Sequence, residues 1–178
     1  TEDIYEVTRR VVAQIPDLPI GIHCHNDCGL AVASSLRAVD AGATQVQGTF
    51  LGFGERCGNA NLSTLLPNLQ LKRGYSCVPP EAMAKLTRTA LKIADIANFS
   101  VSGSMPYVGS SAFAHKGGMH VDAVRKLSST FEHVAPDAVG NHRRVLLSEM
   151  SGKSALLDLL KRHDPTLQKD SPKTVEIS

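Results

Sequence analysis

Two histidines separated by one residue stand at the end of a short apolar stretch, in the run Ile20-Gly21-Ile22-His23-Cys24-His25-Asn26-Asp27. Because a β-strand points side chains i and i+2 to the same face, we expect His23 and His25 to lie on one face of a strand. Two imidazoles at the end of a strand can supply half of a site for a first-row transition metal. Cys24 lies between them and is expected to face the other way, which argues against it as a ligand.

A glycine-dense loop further along the chain offers oxygen donors, in the run Leu51-Gly52-Phe53-Gly54-Glu55-Arg56-Cys57-Gly58-Asn59. If the loop follows a parallel strand, it emerges on the same side as the histidines, and the amide oxygen of Asn59 can reach the same metal. Asn59 can equally be a turn-former or a helix cap. Glu55 and Arg56 project from the same loop, either as chemical groups or as a solvated surface pair.

A third candidate is His120, which follows Gly117-Gly118 near the start of a predicted short helix. Its alternative role is that of an ordinary histidine at a helix terminus. The four cysteines are Cys24, Cys28, Cys57 and Cys77, and they have neither zinc-ribbon spacing nor a dense disulfide pattern. We therefore expect small, buried or half-buried thiols, since free cysteine behaves mostly as a small hydrophobe.

The positioning elements alternate between helical and strand periods in the first half of the chain. Apolar spacing predicts a helix over 3–15, a strand over 18–25, a helix over 30–41, a strand over 45–50, and a third helix that Asn61 caps and that ends before Gly74. This order is typical of βα units in a parallel sheet, hence of an α/β protein. An open sheet usually has at least about four strands, so the chain either borrows strands from a partner or belongs to something longer.

The second half is predicted to be less regular. One long helix is expected over 83–98, a loop over 100–111, a short helix after the glycine pair, and a polar loop containing Pro136 and Gly140. A short strand over 143–147 and a helix over 154–160 follow, and the polar tail from His163 is expected to fray.

Composition sets the broad class. The 178 residues are 42% hydrophobic and 20% charged, with a formal net charge of +2, which is ordinary for a globular protein and gives no footprint for nucleic acid. Apolar runs are too short to cross a bilayer, and the acidic, amphipathic N-terminal stretch is unlike a signal peptide. We expect a cytoplasmic protein with neither a nucleic-acid nor a membrane partner.

Two motifs together resemble a known family. The run from His23 to Asp27 with Gly29-Leu30-Ala31-Val32-Ala33, and then Gly54-Glu55-Arg56-Cys57-Gly58-Asn59-Ala60, are similar to the acyl-CoA Claisen-condensing synthases that make isopropylmalate, citramalate and homocitrate. Runs in the second half, His115 to Val124 and Val139 to Arg144, look most like a citramalate synthase branch. A lyase of the 3-hydroxy-3-methylglutaryl type shares the two histidines, but the surroundings of Cys57 match the synthases better.

The resemblance implies the C-terminal portion of a TIM (β/α)8 barrel. Residues 1–76 would supply its last two βα units, 77–110 a linker helix and loop, and 111–178 a small α+β subdomain that covers the active site. The remaining strands, a further metal-ligating aspartate and a regulatory domain would lie outside this sequence. In the family, the positions of His23, His25 and Asn59 bind a divalent metal (Mg, Mn or Zn), and the position of His120 assists the chemistry.

The resemblance also implies an acyltransferase of amino-acid biosynthesis that condenses acetyl-CoA with a small 2-oxo acid, with His120 and Glu55 as catalytic residues. The 2-oxo acid is expected to be pyruvate, and isopropylmalate or homocitrate synthesis is the alternative. The full-length enzyme is expected to be a homodimer, and the residues that bind substrate remain open. A tyrosine often found in the subdomain corresponds here to Phe131, which has no hydroxyl to donate. A rival of another class is a non-catalytic fragment or assembly module that needs a barrel partner.

Overall fold

A computed structural model of the chain describes residues 1–116, 123, 127 and 130–146. His120 and the helix predicted over 154–160 lie outside these residues. No helix in the described part of the chain is long and apolar enough to span a membrane.

The first half consists of two consecutive βα units. Helix α1 (Glu2–Gln14) precedes strand β1 (Gly21–His23), and helix α2 (Ala31–Asp40) leads to strand β2 (Gln45–Gln47). The strands pair in parallel, with Ile22 opposite Val46. The predicted α/β order and the parallel pairing are thus confirmed for this part of the chain.

Both strands are shorter than the periodicity predicts. The ladder ends at His23 because the chain then bonds to the glycine-dense loop instead of to β2: the Cys24 carbonyl accepts a hydrogen bond from Ala60 N at 3.0 Å. On β2, a short 3-10 helix (Phe50–Gly52) replaces the end of the predicted strand, and Leu51 adopts a positive φ of 60°.

Helix α3 (Leu62–Pro67) begins where the sequence predicts, since the Asn61 side chain accepts a hydrogen bond from Ser63 N at 2.9 Å. Pro67 has no backbone N–H to donate within the helix, and the chain continues in a wider π-helical turn (Asn68–Lys72). The whole element ends before Gly74, which has a φ of +76°.

The prediction of one continuous helix over 83–98 is wrong. The structure has two helices, α4 (Pro80–Met83) and α5 (Leu86–Ile96), separated by a break at Ala84 and Lys85. The break allows Gly140 to pack against the chain so closely that a Cβ at Gly140 would overlap the Ala84 carbonyl oxygen.

The predicted polar loop around Pro136 is partly buried. It forms a 3-10 helix (Pro136–Val139) whose Val139 is fully buried in the main core. That core also contains Leu51, Met83, Leu86, Ala90, Ala94, Tyr107, Val108 and Phe113. Beside it, strands β3 (Ala114–His115) and β4 (Arg144–Val145) pair in parallel. Strand β4 lies within the short strand predicted over 143–147, whereas β3 was not predicted.

Candidate functional site

The two histidines at the end of β1 are close neighbours. Their ring centroids lie 5.0 Å apart, with an interplanar angle of 79°. Both residues are exposed, whereas Cys24 between them is buried, as expected for alternating faces. The imidazole nitrogens of His23 and His25 are therefore accessible to a ligand from solvent.

Backbone hydrogen bonds join the glycine-dense loop to the residues that follow β1. Asn26 N donates to the Gly58 carbonyl at 2.8 Å, and Ala60 N donates to the Cys24 carbonyl at 3.0 Å. Between these two bonds, His25 and Asn59 form an isolated antiparallel bridge. Asn59 thus lies directly beside His25, as the sequence predicts for loops that follow neighbouring parallel strands.

The Asn59 side chain has one partner and one orphaned atom. Its Nδ2 donates to the Phe53 carbonyl at 3.1 Å, and this bond sets the orientation of the amide, with Nδ2 toward Phe53 and Oδ1 away from it. Its Oδ1 is buried and has no hydrogen-bond partner among the residues that the structure describes. Since an unsatisfied buried acceptor costs about 1–3 kcal/mol, such an atom calls for an explanation, and an absent ligand is one.

Two glycines shape the loop around this amide. A Cβ at Gly54 would lie 2.6 Å from Asn59 Nδ2, and a Cβ at Gly58 would overlap the Gly52 carbonyl oxygen. The Gly52 carbonyl also accepts a hydrogen bond from Asn59 N at 3.0 Å. The absence of side chains at these positions lets the loop close around Asn59.

The donor set fits a divalent transition metal. Imidazole nitrogens and an amide oxygen are suitable ligands for Zn or Mn, and an oxygen donor suits Mg. Within the described ranges, no group of three or more His, Cys, Asp and Glu side chains could hold an ion. Asn59 Oδ1 is a donor of another kind, and Asn59 lies beside His25.

An ion pair beside the histidines was not foreseen. Arg56 donates two hydrogen bonds to the Asp27 carboxylate, at 2.9 and 2.8 Å, and these bonds hold the pKa of Asp27 below its ordinary value. Asp27 and Arg56 are 29 positions apart, so no local pattern reveals the pair. The Glu55 side chain is 87% exposed, and its Oε2 lies 3.9 Å from Arg56 Nη1.

A cavity of about 410 Å³ adjoins Asn59. Three asparagines, Asn26, Asn59 and Asn61, line it together with Met105 and Pro106 from the second half of the chain. A larger, mostly apolar cavity of about 590 Å³ beside β2 and α3 contains none of the predicted donors. The smaller cavity therefore reaches Asn59, whereas His23 and His25 are not among the described residues that line it.

The subdomain presents a buried carboxylate next to Phe131. Glu132 has only 2% of its side chain exposed, and it accepts two hydrogen bonds from Arg143 at 2.5 and 2.6 Å. Its Oε1 also lies 3.3 Å from His115 Nε2. These contacts, with that of Arg143 foremost, lower the pKa of Glu132. No local sequence pattern indicated this cluster.

Comparison with known proteins identifies the family. Residues 1–101 match the family model described as HMGL-like. The chain belongs to the HMGL-like family. Residues 107–177 match a second model, described as homocitrate synthase post-HMGL domain-like. The resemblance expected from the two sequence motifs is thereby confirmed, and HMGL-like membership implies a TIM-barrel fold.

Individual relatives agree with this assignment. The chain is 54% identical over 153 residues to an (R)-citramalate synthase of Synechocystis sp., covering 86% of this chain and 28% of that protein. It is 49% identical over 170 residues to an (R)-citramalate synthase of Aquifex aeolicus, covering 96% and 32%. A probable 2-isopropylmalate synthase of Methanopyrus kandleri is 40% identical over 157 residues, covering 86% and 30%. The chain thus spans about a third of the length of these HMGL-like relatives.

Proposed function

We propose that the protein containing this chain condenses acetyl-CoA with pyruvate to give citramalate and free CoA. Two independent lines support this proposal: the similarity to (R)-citramalate synthases, and the arrangement of donors at the end of β1. The observation that carries it is the buried, unpartnered Oδ1 of Asn59 beside the exposed pair His23 and His25. In this proposal, these three side chains would hold one divalent cation.

The balanced reaction consumes acetyl-CoA, pyruvate and water. A base removes a proton from the acetyl methyl carbon, this carbon bonds to the carbonyl carbon of pyruvate, and water cleaves the thioester C–S bond. When bound, the cation polarises the carbonyl of the 2-oxo acid. The chain's own proposed proton carriers are Glu55, whose carboxylate is exposed at the loop tip, and His120, which lies outside the described residues.

The same proposal assigns the chain its place in the enzyme. Residues 1–76 would form the last two βα units of the barrel, 77–110 the linker, and 111–178 the subdomain over the active site. The parallel pairing of β1 and β2 and the second matched family model support this division. A homodimeric assembly and a cytoplasmic location remain predictions from the sequence.

A substrate panel tests the reaction. The purified intact protein is supplied with acetyl-CoA and, separately, pyruvate, 2-oxoisovalerate or 2-oxoglutarate, and free thiol release is measured. We expect the highest kcat/KM with pyruvate. A preference for 2-oxoisovalerate would indicate isopropylmalate synthesis, for which the Methanopyrus kandleri relative is the precedent. Absence of thiol release with all three acids would support the non-catalytic alternative.

A pair of asparagine variants tests the cation site. Asn59→Ala should weaken Mn²⁺ binding, measured by calorimetry, by at least about tenfold, since even loss of a residue behind a ligand costs about 10–100-fold. The matched control is Asn68→Ala, because Asn68 is also half-buried and also donates one hydrogen bond to a backbone carbonyl, that of Thr64 at 2.8 Å. Equal Mn²⁺ affinity in the two variants would refute Asn59 as a ligand.

A further inference from the structure

A second concave surface lies on the side of α5 that faces the turn before β4. This groove has a volume of about 310 Å³. Its apolar floor includes Val108, which is only 2% exposed, and Leu91. Its rim carries Arg88, His142 and Arg144, and none of the described residues that line it is acidic. We call this surface the basic groove.

The two arginines of the basic groove differ from most others in the described part of the chain. The arginines that pair with carboxylates there are Arg9, Arg37, Arg56, Arg73 and Arg143. Within the same described ranges, neither Arg88 nor Arg144 has an ion-pair partner. Two positive charges that share one groove without a counter-charge repel each other, so an anion bound there is stabilised by both.

Hydrogen bonding presents Arg144 to the groove in a defined way. Its Nε donates to His142 Nε2 at 3.0 Å, which makes that ring nitrogen an acceptor and leaves the terminal Nη groups available for another partner. Lys85, at the N-terminal end of α5, and Lys92 follow the helical spacing of Arg88, and Asp95 lies further along the same face. The positive charge is therefore concentrated on the part of the helix that lines the groove.

The walls of the groove are tied together by buried polar contacts. Asn141 Nδ2 donates to the carbonyls of Tyr107 and Gly109, at 2.9 and 3.0 Å. Thr87 Oγ1 donates to the Val139 carbonyl at 2.7 Å, which joins α5 to the segment before β4. The groove is thus formed before any ligand arrives, and preorganisation reduces the cost of binding.

We infer that the basic groove binds the phosphate groups of coenzyme A. A guanidinium matches the geometry of phosphate oxygens with two parallel hydrogen bonds, and Arg88 and Arg144 together can contact a phosphate or diphosphate from two sides. This assignment rests on the proposed function, which makes coenzyme A part of both a substrate and a product. The groove would hold the carrier end of the thioester and would have no part in the chemistry.

Binding titrations without 2-oxo acid or added metal test the inference. Coenzyme A, 3′-dephospho-CoA, pantetheine and inorganic pyrophosphate are titrated against the intact protein and against Arg88→Ala and Arg144→Ala. We expect coenzyme A to bind most tightly, pyrophosphate to compete with it, and each variant to bind coenzyme A about tenfold more weakly, as for loss of one charge-assisted hydrogen bond. The matched control is Arg10→Ala, an exposed arginine on α1 that makes no ion pair with described residues.

Several results would overturn the inference. Equal affinities for coenzyme A and pantetheine would remove the role of phosphate, and unchanged coenzyme A binding in both variants would remove the role of the groove. If both variants lost pyrophosphate binding but neither lost coenzyme A binding, coenzyme A would be rejected as the source of the phosphate groups that the groove binds. The thermal unfolding temperature of each variant is also measured. A variant that unfolds at the same temperature as the wild-type protein is folded, so its loss of binding is not a loss of folding. A failure of thiol release with every 2-oxo acid would instead reject the proposed function and would leave these titrations interpretable.

Discussion

The backbone of the glycine-dense loop can be tested with one substitution, Gly58→Ala. Gly58 has a φ of +84°, and its Cβ would lie well inside 3.0 Å of the Gly52 carbonyl oxygen. A side chain in this left-handed region costs about 1–2 kcal/mol, and displacing the Gly52 carbonyl also breaks its bond from Asn59 N, worth about 0.5–1.5 kcal/mol. We therefore expect the free energy of unfolding to fall by about 1.5–3.5 kcal/mol.

Gly74→Ala is the matched control for this change. Gly74 has a similar φ of +76°, but a Cβ there would meet nothing within 4 Å. The control should lose only the backbone strain of about 1–2 kcal/mol, measured by urea unfolding, and its Mn²⁺ affinity should not change. Gly58→Ala should also bind Mn²⁺ at least about tenfold more weakly, because Asn59 moves with the loop. Equal losses of stability and equal Mn²⁺ affinities in the two variants would refute the reasoning.

Three further predictions concern polar side-chain contacts. Because the pKa of Glu132 is lowered in the folded state, its ionised form adds stability above the unfolded-state pKa, and this stability is lost as the pH falls through the folded-state pKa. Glu132→Gln should abolish that acid-side loss in unfolding experiments; an unchanged pH profile would contradict the assignment. The pKa of Asp27, measured by NMR titration, should be below its ordinary value and should rise in Arg56→Ala, whereas equal values in both proteins would exclude the ion pair in solution. Asn141→Ala should lower the free energy of unfolding by about 1–3 kcal/mol, because it removes the Asn141 hydrogen bond to the buried Tyr107 carbonyl, whereas the Gly109 carbonyl keeps its bond from Ala112 N; a loss no larger than that of Asn68→Ala would argue against this.

Local patterns predicted the elements that place the histidines. The period of two in a strand is enough to put His23 and His25 on one face and Cys24 on the other. The start of α3 followed from Asn61, whose short amide can cap the helix next to it in sequence. Such features depend on residues within one or two turns of each other, and the sequence contains all of them.

Features that depend on distant contacts were not predicted. The break between α4 and α5 reflects the approach of Gly140, which is more than fifty positions further along the chain than Ala84. The pairs of Arg56 with Asp27 and of Arg143 with Glu132 likewise join segments that no periodicity connects. The orphaned Oδ1 of Asn59 could only be found once the partner of its Nδ2 was known.

The closed base of the glycine-dense loop has a consequence for how the sequence of this loop can be varied. Thr49 N donates to the Ala60 carbonyl at 3.0 Å, and Leu62 N donates to the Thr49 carbonyl at 2.9 Å, so the two ends of the segment are joined before α3 begins. Residues at its tip, such as Glu55, can then be exchanged or the tip lengthened at small entropic cost, since doubling a loop costs only about 0.6 kcal/mol. Asn59, which lies near the base, would keep its place. A library of variants confined to positions 55–57 could therefore change the tip of the loop while Asn59 keeps its position.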